Sequence, residues 1–307
     1  MDIGLALPHY DFSFPSERRA DVAGVVEYAT RAEDLGFDSV WVSDHLFLDL
    51  ARYGGPATRF GTPEAFSMLS ALASGTRRVR FGPLVLCSAF RAPALLAAQA
   101  RSVNEASSAR LELGLGAGWY EAEFDELGIP FEAPGRRIAH ATAVAATVRA
   151  AAGSPPVFVG GKGGPVLMRM VARAADGWNV VWRITPEQYA QRLEVLRAAC
   201  AAEDRDSRTV DLSVGLYTLV GTDAADLKRR YEALQAWMPG RALDATSLEE
   251  FAAGGLVGTP RECAQRIEEF RALGVGRVVL GLAGLPFSVY DDEQMDLVAS
   301  ELIPLVR

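Results

Sequence analysis

Three short segments hold residue types that could do chemistry. Ser43, Asp44 and His45 stand together, a carboxylate beside an imidazole. Such a pair can orient a ring, donate a proton to a product or stabilise developing charge. The competing structural reading is a helix cap next to a packing histidine. Gly114-Leu115-Gly116-Ala117-Gly118-Trp119 offers main chain without bulk, which lets a planar cofactor approach the backbone closely. A tight turn with a core tryptophan would read the same way. Gly160-Gly161-Lys162-Gly163-Gly164-Pro165 frees successive backbone N–H groups before a predicted helix. That is a cradle for a phosphate, with Lys162 as an added point charge. The loop lacks the GK[ST] of a Walker motif, and a plain flexible connection is its alternative reading.

Other chemistry-bearing residues read as structural. In PLVLCSAFRAP (83–93), Cys87 has no histidine beside it in sequence and reads as a small buried hydrophobe, not a nucleophile. Arg91 reads as a salt-bridge residue first and a phosphate ligand second. Tyr120, Glu121, Glu123 and Asp125 read as the solvated acidic start of a helix. Cys87, Cys200 and Cys263 lie far apart with no CxxC spacing, which argues against a disulfide framework and for a reducing compartment. His9, His45 and His140 are scattered and form no HExxH pattern, so no dedicated metal site is expected.

The elements that must position these residues alternate in type. Apolar runs predict strands over 3–7, 39–42, 79–86, 111–115, 157–159, 178–182, 212–220 and 277–282. Helical spacing predicts helices over 19–35, 63–74, 93–107, 138–151, 166–175, 186–202, 224–237, 259–273 and 292–302. Thr62 is the expected N-cap of the second helix, with Pro63 at its first position, and Gly36 the stop of the first. The stretch 120–135 is looser. Residues 238–255 lack periodicity and read as a loop or a short helical insertion.

Eight β-type runs, most followed by a helix, imply parallel strands joined by crossovers. The runs are nearly continuous hydrophobics, as for strands buried on both faces. The expected class is α/β, a (β/α)8 TIM barrel spanning 1–307 as one domain. An open doubly wound sheet gives similar local signals, but the count of eight and the lack of GxGxxG after the first strand favour closure. In such a barrel the chemistry sits at the C-terminal ends of the strands. That rule selects 8–10, 43–45, 87–91, 116–120, 160–164, Arg183 and 282–286.

Half of the 307 residues are hydrophobic and 23 % are charged, so a large core can form, and the net charge is −8. No segment concentrates lysine and arginine without acids, which argues against a nucleic-acid partner. No apolar run reaches membrane-spanning length, and the N-terminus has no signal-peptide pattern. A soluble, cytoplasmic protein acting on a small-molecule substrate is expected.

In order along the chain, several segments together resemble the luciferase-like superfamily. They are LGFDSVWVSDHLF (35–47), RVRFGPLVL with FRAP (78–93), RLELGLGAGWYEAEFDELGIPF (110–131), PGRRIA (134–139), PPVFVGGKGGPVLMRMVARAADGWN (155–179) and GTPRECAQRIEEFRALGVGRVVL (258–280). The GLGAGW block followed by GIPF, and the GG loop followed by ADGWN, are specific in this order. The resemblance implies a (β/α)8 barrel binding F420 or FMN at its C-terminal mouth, and it implies a homodimer. SDH after strand 2 and the GAGW-E-EF pattern resemble the F420 branch more than the FMN monooxygenases. By this analogy His45 lies near the deazaflavin ring with Asp44 orienting it. Leu84, Val85, Leu86, Gly116, Ala117, Gly118 and Trp119 line the cofactor, and Gly160, Gly161, Lys162 and Gly163 hold its phosphate. Trp119 and Trp182 would wall the substrate pocket. A non-prolyl cis peptide, frequent in the family, would fall at Leu84–Val85.

Two departures stand out. The family's insertion before strand 5 is nearly absent, which implies a more open mouth. F420-dependent glucose-6-phosphate dehydrogenases carry a Glu where Ala117 stands and a Trp after SDH, so sugar phosphate is not the expected substrate. The resemblance therefore implies hydride transfer between F420 and a C=C, C=N or C=O substrate. Alternatives are an FMN monooxygenase using O2 and a non-catalytic flavin-binding barrel. A barrel aldolase is disfavoured because Lys162 sits in a glycine loop, not in a strand interior.

Overall fold

The computed structural model describes residues 1–14 and 20–307. Eight parallel strands form a closed ring: β1 (Asp2–Ala6), β2 (Ser39–Val42), β3 (Arg80–Pro83), β4 (Leu113–Gly116), β5 (Val157–Gly160), β6 (Gly177–Val180), β7 (Asp211–Val220) and β8 (Arg277–Gly281). β1 pairs with both β2 and β8, and each later strand pairs with the next. The β3–β4 seam is made by a bridge between Phe81 and Leu111 and by the segment Leu86–Cys87, which pairs with Leu115 and Gly116. The (β/α)8 barrel expected from the sequence is therefore the fold.

The near-continuous hydrophobicity of the strands has two uses. Alternate residues point to opposite faces of a strand. Leu5, Val40, Val42, Leu113, Val157, Val159, Val278 and Leu280 face the surrounding helices in one large core. Ala6, Trp41, Leu84, Leu219 and Val279 belong to a second cluster inside the ring and under its C-terminal loops, with Tyr10, Phe12 and Phe287. Burying each large aliphatic side chain contributes roughly 1.5–3 kcal/mol. Glycine lets β3 and β4 close on each other: a Cβ on Gly82 would lie 1.9 Å from the Glu112 carbonyl oxygen. At the N-terminal end the ring is plugged by Glu112. It accepts two bonds from the buried Arg277 (2.5 and 2.8 Å) and one from Arg80 (3.0 Å).

The helices outside the ring are α1 (Val22–Asp34), α2 (Ala65–Gly75), α3 (Pro93–Ala106), α4 (Pro134–Ala150), α5 (Pro165–Ala174), α6 (Pro186–Ala202), α7 (Ala224–Trp237) and α8 (Pro260–Ala272), with a terminal helical run from Glu293 to Val306. Several start where the chemistry of capping dictates. Thr185 with Gln188, and Thr259 with Glu262, form capping boxes ahead of a proline at the first helical position.

The structure corrects several boundaries. α2 starts at Ala65, not Pro63, because the Glu64 carboxylate caps it through the Ser67 amide (2.8 Å) and Thr62 does not. α4 starts at Pro134, four residues before the expected 138, since Pro134 fits the first helical position. The expected start of the first helix at Arg19 lies outside the described residues. The third strand does not run through 79–86. It breaks between Pro83 and Leu86 at a cis Leu84–Val85 peptide, the bond expected there from the resemblance. A second non-prolyl cis bond, Val181–Trp182 after β6, had no sequence signal. The aperiodic 238–255 stretch holds a turn at Pro239–Arg241 and a helix at Leu248–Ala252, before the strand Leu256–Gly258 joins the end of β7. Among the described residues no helix is long and apolar enough to cross a membrane.

Candidate active site at the C-terminal mouth

Because all eight strands are parallel, Ser43–His45 after β2, the glycines after β4 and the GGKGG loop after β5 lie at one end of the barrel. His45 is held there by a residue the sequence reading had put in solvent. Its Nδ1 lies 2.8 Å from Oε2 of Glu123, whose side chain is only 2 % exposed. The other oxygen, Oε1, accepts the Leu46 amide at 2.6 Å. Glu123 sits on a short helix, Glu121–Glu126, that follows β4. Its partner at Nδ1 leaves Nε2 of His45 as the ring nitrogen with no protein partner among the described residues. Trp119 meets the His45 ring edge-on at 5.5 Å, and Tyr120 lies at 6.4 Å.

Asp44 does not orient His45. Its carboxylate is buried and takes both guanidinium nitrogens of Arg91 (2.7 and 2.9 Å) and the Cys87 amide (2.9 Å). Arg91 also donates to Glu64 at 2.6 Å, so this residue is a tie between the end of β2, the end of β3 and the start of α2. Its role is the salt bridge anticipated for it. Burial raises the Cys87 thiol to about 12, so it holds its proton and is no nucleophile.

Beneath the dyad lies a sealed polar chain. His9 Nδ1 donates to the Leu7 carbonyl at 2.8 Å, and its Nε2 accepts from the Ser43 amide at 3.1 Å and meets Ser43 Oγ at 2.8 Å. The Tyr10 hydroxyl shares a hydrogen bond with the same Oγ at 2.6 Å. Burial first, and then the neighbouring His45, pull the His9 pKa down to about 3 against the bond to Leu7, so this imidazole is neutral.

The glycines after β4 serve the protein before any ligand. A Cβ on Gly114, Gly116 or Gly160 would come within 3.0, 2.6 and 2.6 Å of Val85 methyl carbons. The residue after the cis bond thus fills a notch cut by three glycines. A Cβ on Gly118 would strike Phe124 (2.6 Å) and the Cys87 sulfur (2.7 Å). The idea that Gly116 and Gly118 are small to admit a cofactor gives way to this packing reason. Ala117 packs against the outer core, and Trp119 stands 41 % exposed on the rim. The Leu84 amide bonds to Val42 O at 2.6 Å and Leu86 joins the ladder, so of the three expected ring-contacting residues only Val85 stays half-buried at the surface of the mouth.

The GGKGG loop is different. Gly163 has φ 76°, a conformation that favours glycine, and Gly164 opens α5 with no side-chain cap. The N–H groups of Lys162, Gly163 and Gly164 meet no acceptor among the described residues, and Lys162 is exposed and unpaired. Free amides ahead of a ten-residue helix are a fit for a phosphate. The wall across from the dyad is aromatic: Trp182 stacks on Tyr217 at 5.6 Å and meets Phe287 at 5.3 Å. Among the described residues no His, Cys, Asp and Glu cluster could hold a metal ion.

Known proteins resemble this chain over its full length. The family model described as luciferase-like monooxygenase matches residues 1–149 and 139–277. A 5,10-methylenetetrahydromethanopterin reductase from Methanolobus tindarius is 25 % identical over 92 % of this chain and 96 % of its own. Among solved structures, an F420-dependent secondary alcohol dehydrogenase in complex with an F420-acetone adduct superposes with a TM-score of 0.76 at 20 % identity, covering 100 % and 99 % of the two chains. The EDTA monooxygenase of Chelativorans sp. BNC1 does so with 0.79 at 15 % identity, covering 99 % and 92 %. At those identities the two structures establish the fold.

Proposed function

This chain belongs to the luciferase-like monooxygenase family, and on that premise we propose that it is an oxidoreductase transferring a hydride between F420 and a small organic substrate. The observation that carries the reading is His45, fixed by buried Glu123 with Nε2 free, on the same rim as the open amides of Lys162–Gly164. Full-length similarity to a methylenetetrahydromethanopterin reductase supports a reductase or dehydrogenase. F420, when bound, supplies the hydride chemistry; the protein supplies position and polarity.

Each residue then has a task. The Lys162, Gly163 and Gly164 amides and the Lys162 ammonium hold the phosphate. Val85, seated on Gly114, Gly116 and Gly160, gives an apolar floor for a flat ring. Glu123 accepts a hydrogen bond from Nδ1–H, which leaves Nε2 to carry a proton in the imidazolium form and to receive one in the neutral form. Nε2 gives a proton to the substrate oxygen, nitrogen or carbon, or takes it in the reverse direction. Trp119, Tyr120 and Trp182 exclude water around the reacting bond. Asp44 takes no proton; it keeps the ends of β2 and β3 together.

Titration of the purified protein with F420 and with FMN tests the cofactor. F420 is expected to bind at least tenfold more tightly, read by quenching of its fluorescence. Tighter binding of FMN, with O2 consumption on adding reduced FMN, would replace this reading by a monooxygenase.

A further inference from the structure

Among the described residues, Arg183 and Arg52 at the mouth have no carboxylate partner. Arg183, just past β6, lies 5.4 Å from the Tyr217 ring centre and 5.0 Å from that of Phe251, and it donates to the Phe251 carbonyl at 2.7 Å. Arg52, in the loop after β2, lies 4.2 Å from the Trp119 ring centre and 6.0 Å from that of Tyr53. The buried Tyr217 hydroxyl is raised well above the usual phenol range, first by burial, while both Arg183 and Arg52 act on it in the opposite sense. Ring contacts run from Trp119 through His45, Tyr10 and Phe287 to Trp182 and Tyr217, so both arginines border one aromatic-lined space. Carboxylates are not scarce in a chain with 39 acids against 31 lysines and arginines. Close by on the rim, Arg91 is paired with Asp44 and Glu64, Arg59 with Glu126, and Asp49 with the Tyr120 hydroxyl and the Ala51 amide. Burial pulls the Arg183 pKa down, against an opposing pull from Tyr217 and Tyr231.

Two cations left open above aromatic rings suit an anion that arrives with a ligand. We propose that Arg52 and Arg183 grip an oxyanion on the substrate, and that the substrate is an apolar, unsaturated skeleton carrying a carboxylate or a like group. The aromatic rings of Trp119, Tyr217 and Trp182 take the skeleton, and the two guanidinium groups take the charge by charge-assisted hydrogen bonds. The inference rests on the mouth being the substrate site of the oxidoreductase proposed above, and its test is separable from the cofactor's.

Binding of 2-naphthoate and of neutral 2-naphthamide is measured by calorimetry, with and without F420, on the wild type and on Arg183→Met, Arg52→Met and Arg183→Lys. Naphthoate should bind at least tenfold more tightly than naphthamide. Arg183→Met and Arg52→Met should each erase most of that preference, Arg183→Lys should keep part of it, and F420 affinity should stay within about twofold. Equal binding of the two probes by the wild type would overturn the proposal. So would a loss of F420 affinity in Arg183→Met with naphthoate binding intact, since that assigns the arginine to the cofactor. A protein that discriminates the probes yet binds no F420 keeps the arginine pair and loses the cofactor. Should Arg183→Met fail to fold, Arg52→Met and Arg183→Lys carry the comparison.

Discussion

His45 keeps one ring nitrogen for the mouth because Glu123 holds the other. Replacing His45 by Ala should lower turnover by roughly 10²–10⁴-fold, the usual worth of a placed acid or base, with F420 affinity nearly unchanged. Glu123→Gln should lower kcat at least about tenfold and shift its pH profile while KM changes little, because an amide misplaces the tautomer. A KM effect alone would reduce Glu123 to a structural residue. His9 makes a prediction of the opposite kind. Its folded pKa, about 3, lies below the ordinary 6.5 of an unfolded chain. The unfolded state therefore binds the extra proton, and stability is lost as pH falls below about 6.5. By pH 5 the loss is about 2 kcal/mol. Melting temperatures of the wild type and His9→Gln between pH 5 and 8 check this: the variant should show the shallower slope.

The break in β3 and the glycines around it act as one element. Gly116, Gly114 and Gly160 stand on two neighbouring strands, and each leaves room for Val85. Gly116→Ala should cost about 1–3 kcal/mol by overpacking, and Val85→Ala in the same chain should return much of it. Purely additive melting temperatures in that double-mutant cycle would mean the notch does not exist in solution. The strand periodicity could locate β3 and β4 but could not tell that glycines on two separate strands, β4 and β5, share one side chain. The short helix Glu121–Glu126 was partly legible. Glu121 and Asp125 are four apart and both exposed, whereas Glu123, two residues on, faces about 200° away. Once the segment is taken as helical, that spacing turns Glu123 inward. What it meets there, His45 from the loop after β2, no local pattern could say.

At the scale of the molecule the ring is closed by unlike ends. The N-terminal end is sealed by Glu112, Arg277 and Arg80, the C-terminal end carries the open amides and the His45–Glu123 dyad. Removing one member of a buried ion pair leaves an uncompensated charge, at about 3–5 kcal/mol. Glu112→Ala should therefore lower the melting temperature by many degrees, while the mouth, at the far end, should keep its cofactor affinity at temperatures where the variant is folded. Loss of affinity at unchanged stability would show that the two ends are coupled.

The sequence alone determined the barrel, its eight strands and the rim on which SDH and GGKGG lie, and the family resemblance added the place of the cis peptide. Those follow from local periodicity, from the rule that parallel strands share an active end and from ordered motifs. Only the tertiary structure decided the partners. It paired His45 with Glu123 over 78 residues and Asp44 with Arg91 over 47, and it gave Val85 the space that Gly116 and Gly160 leave. A short side chain's partner depends on which loops a closed ring brings together, and that is set by the packing of the whole ring and by no single segment.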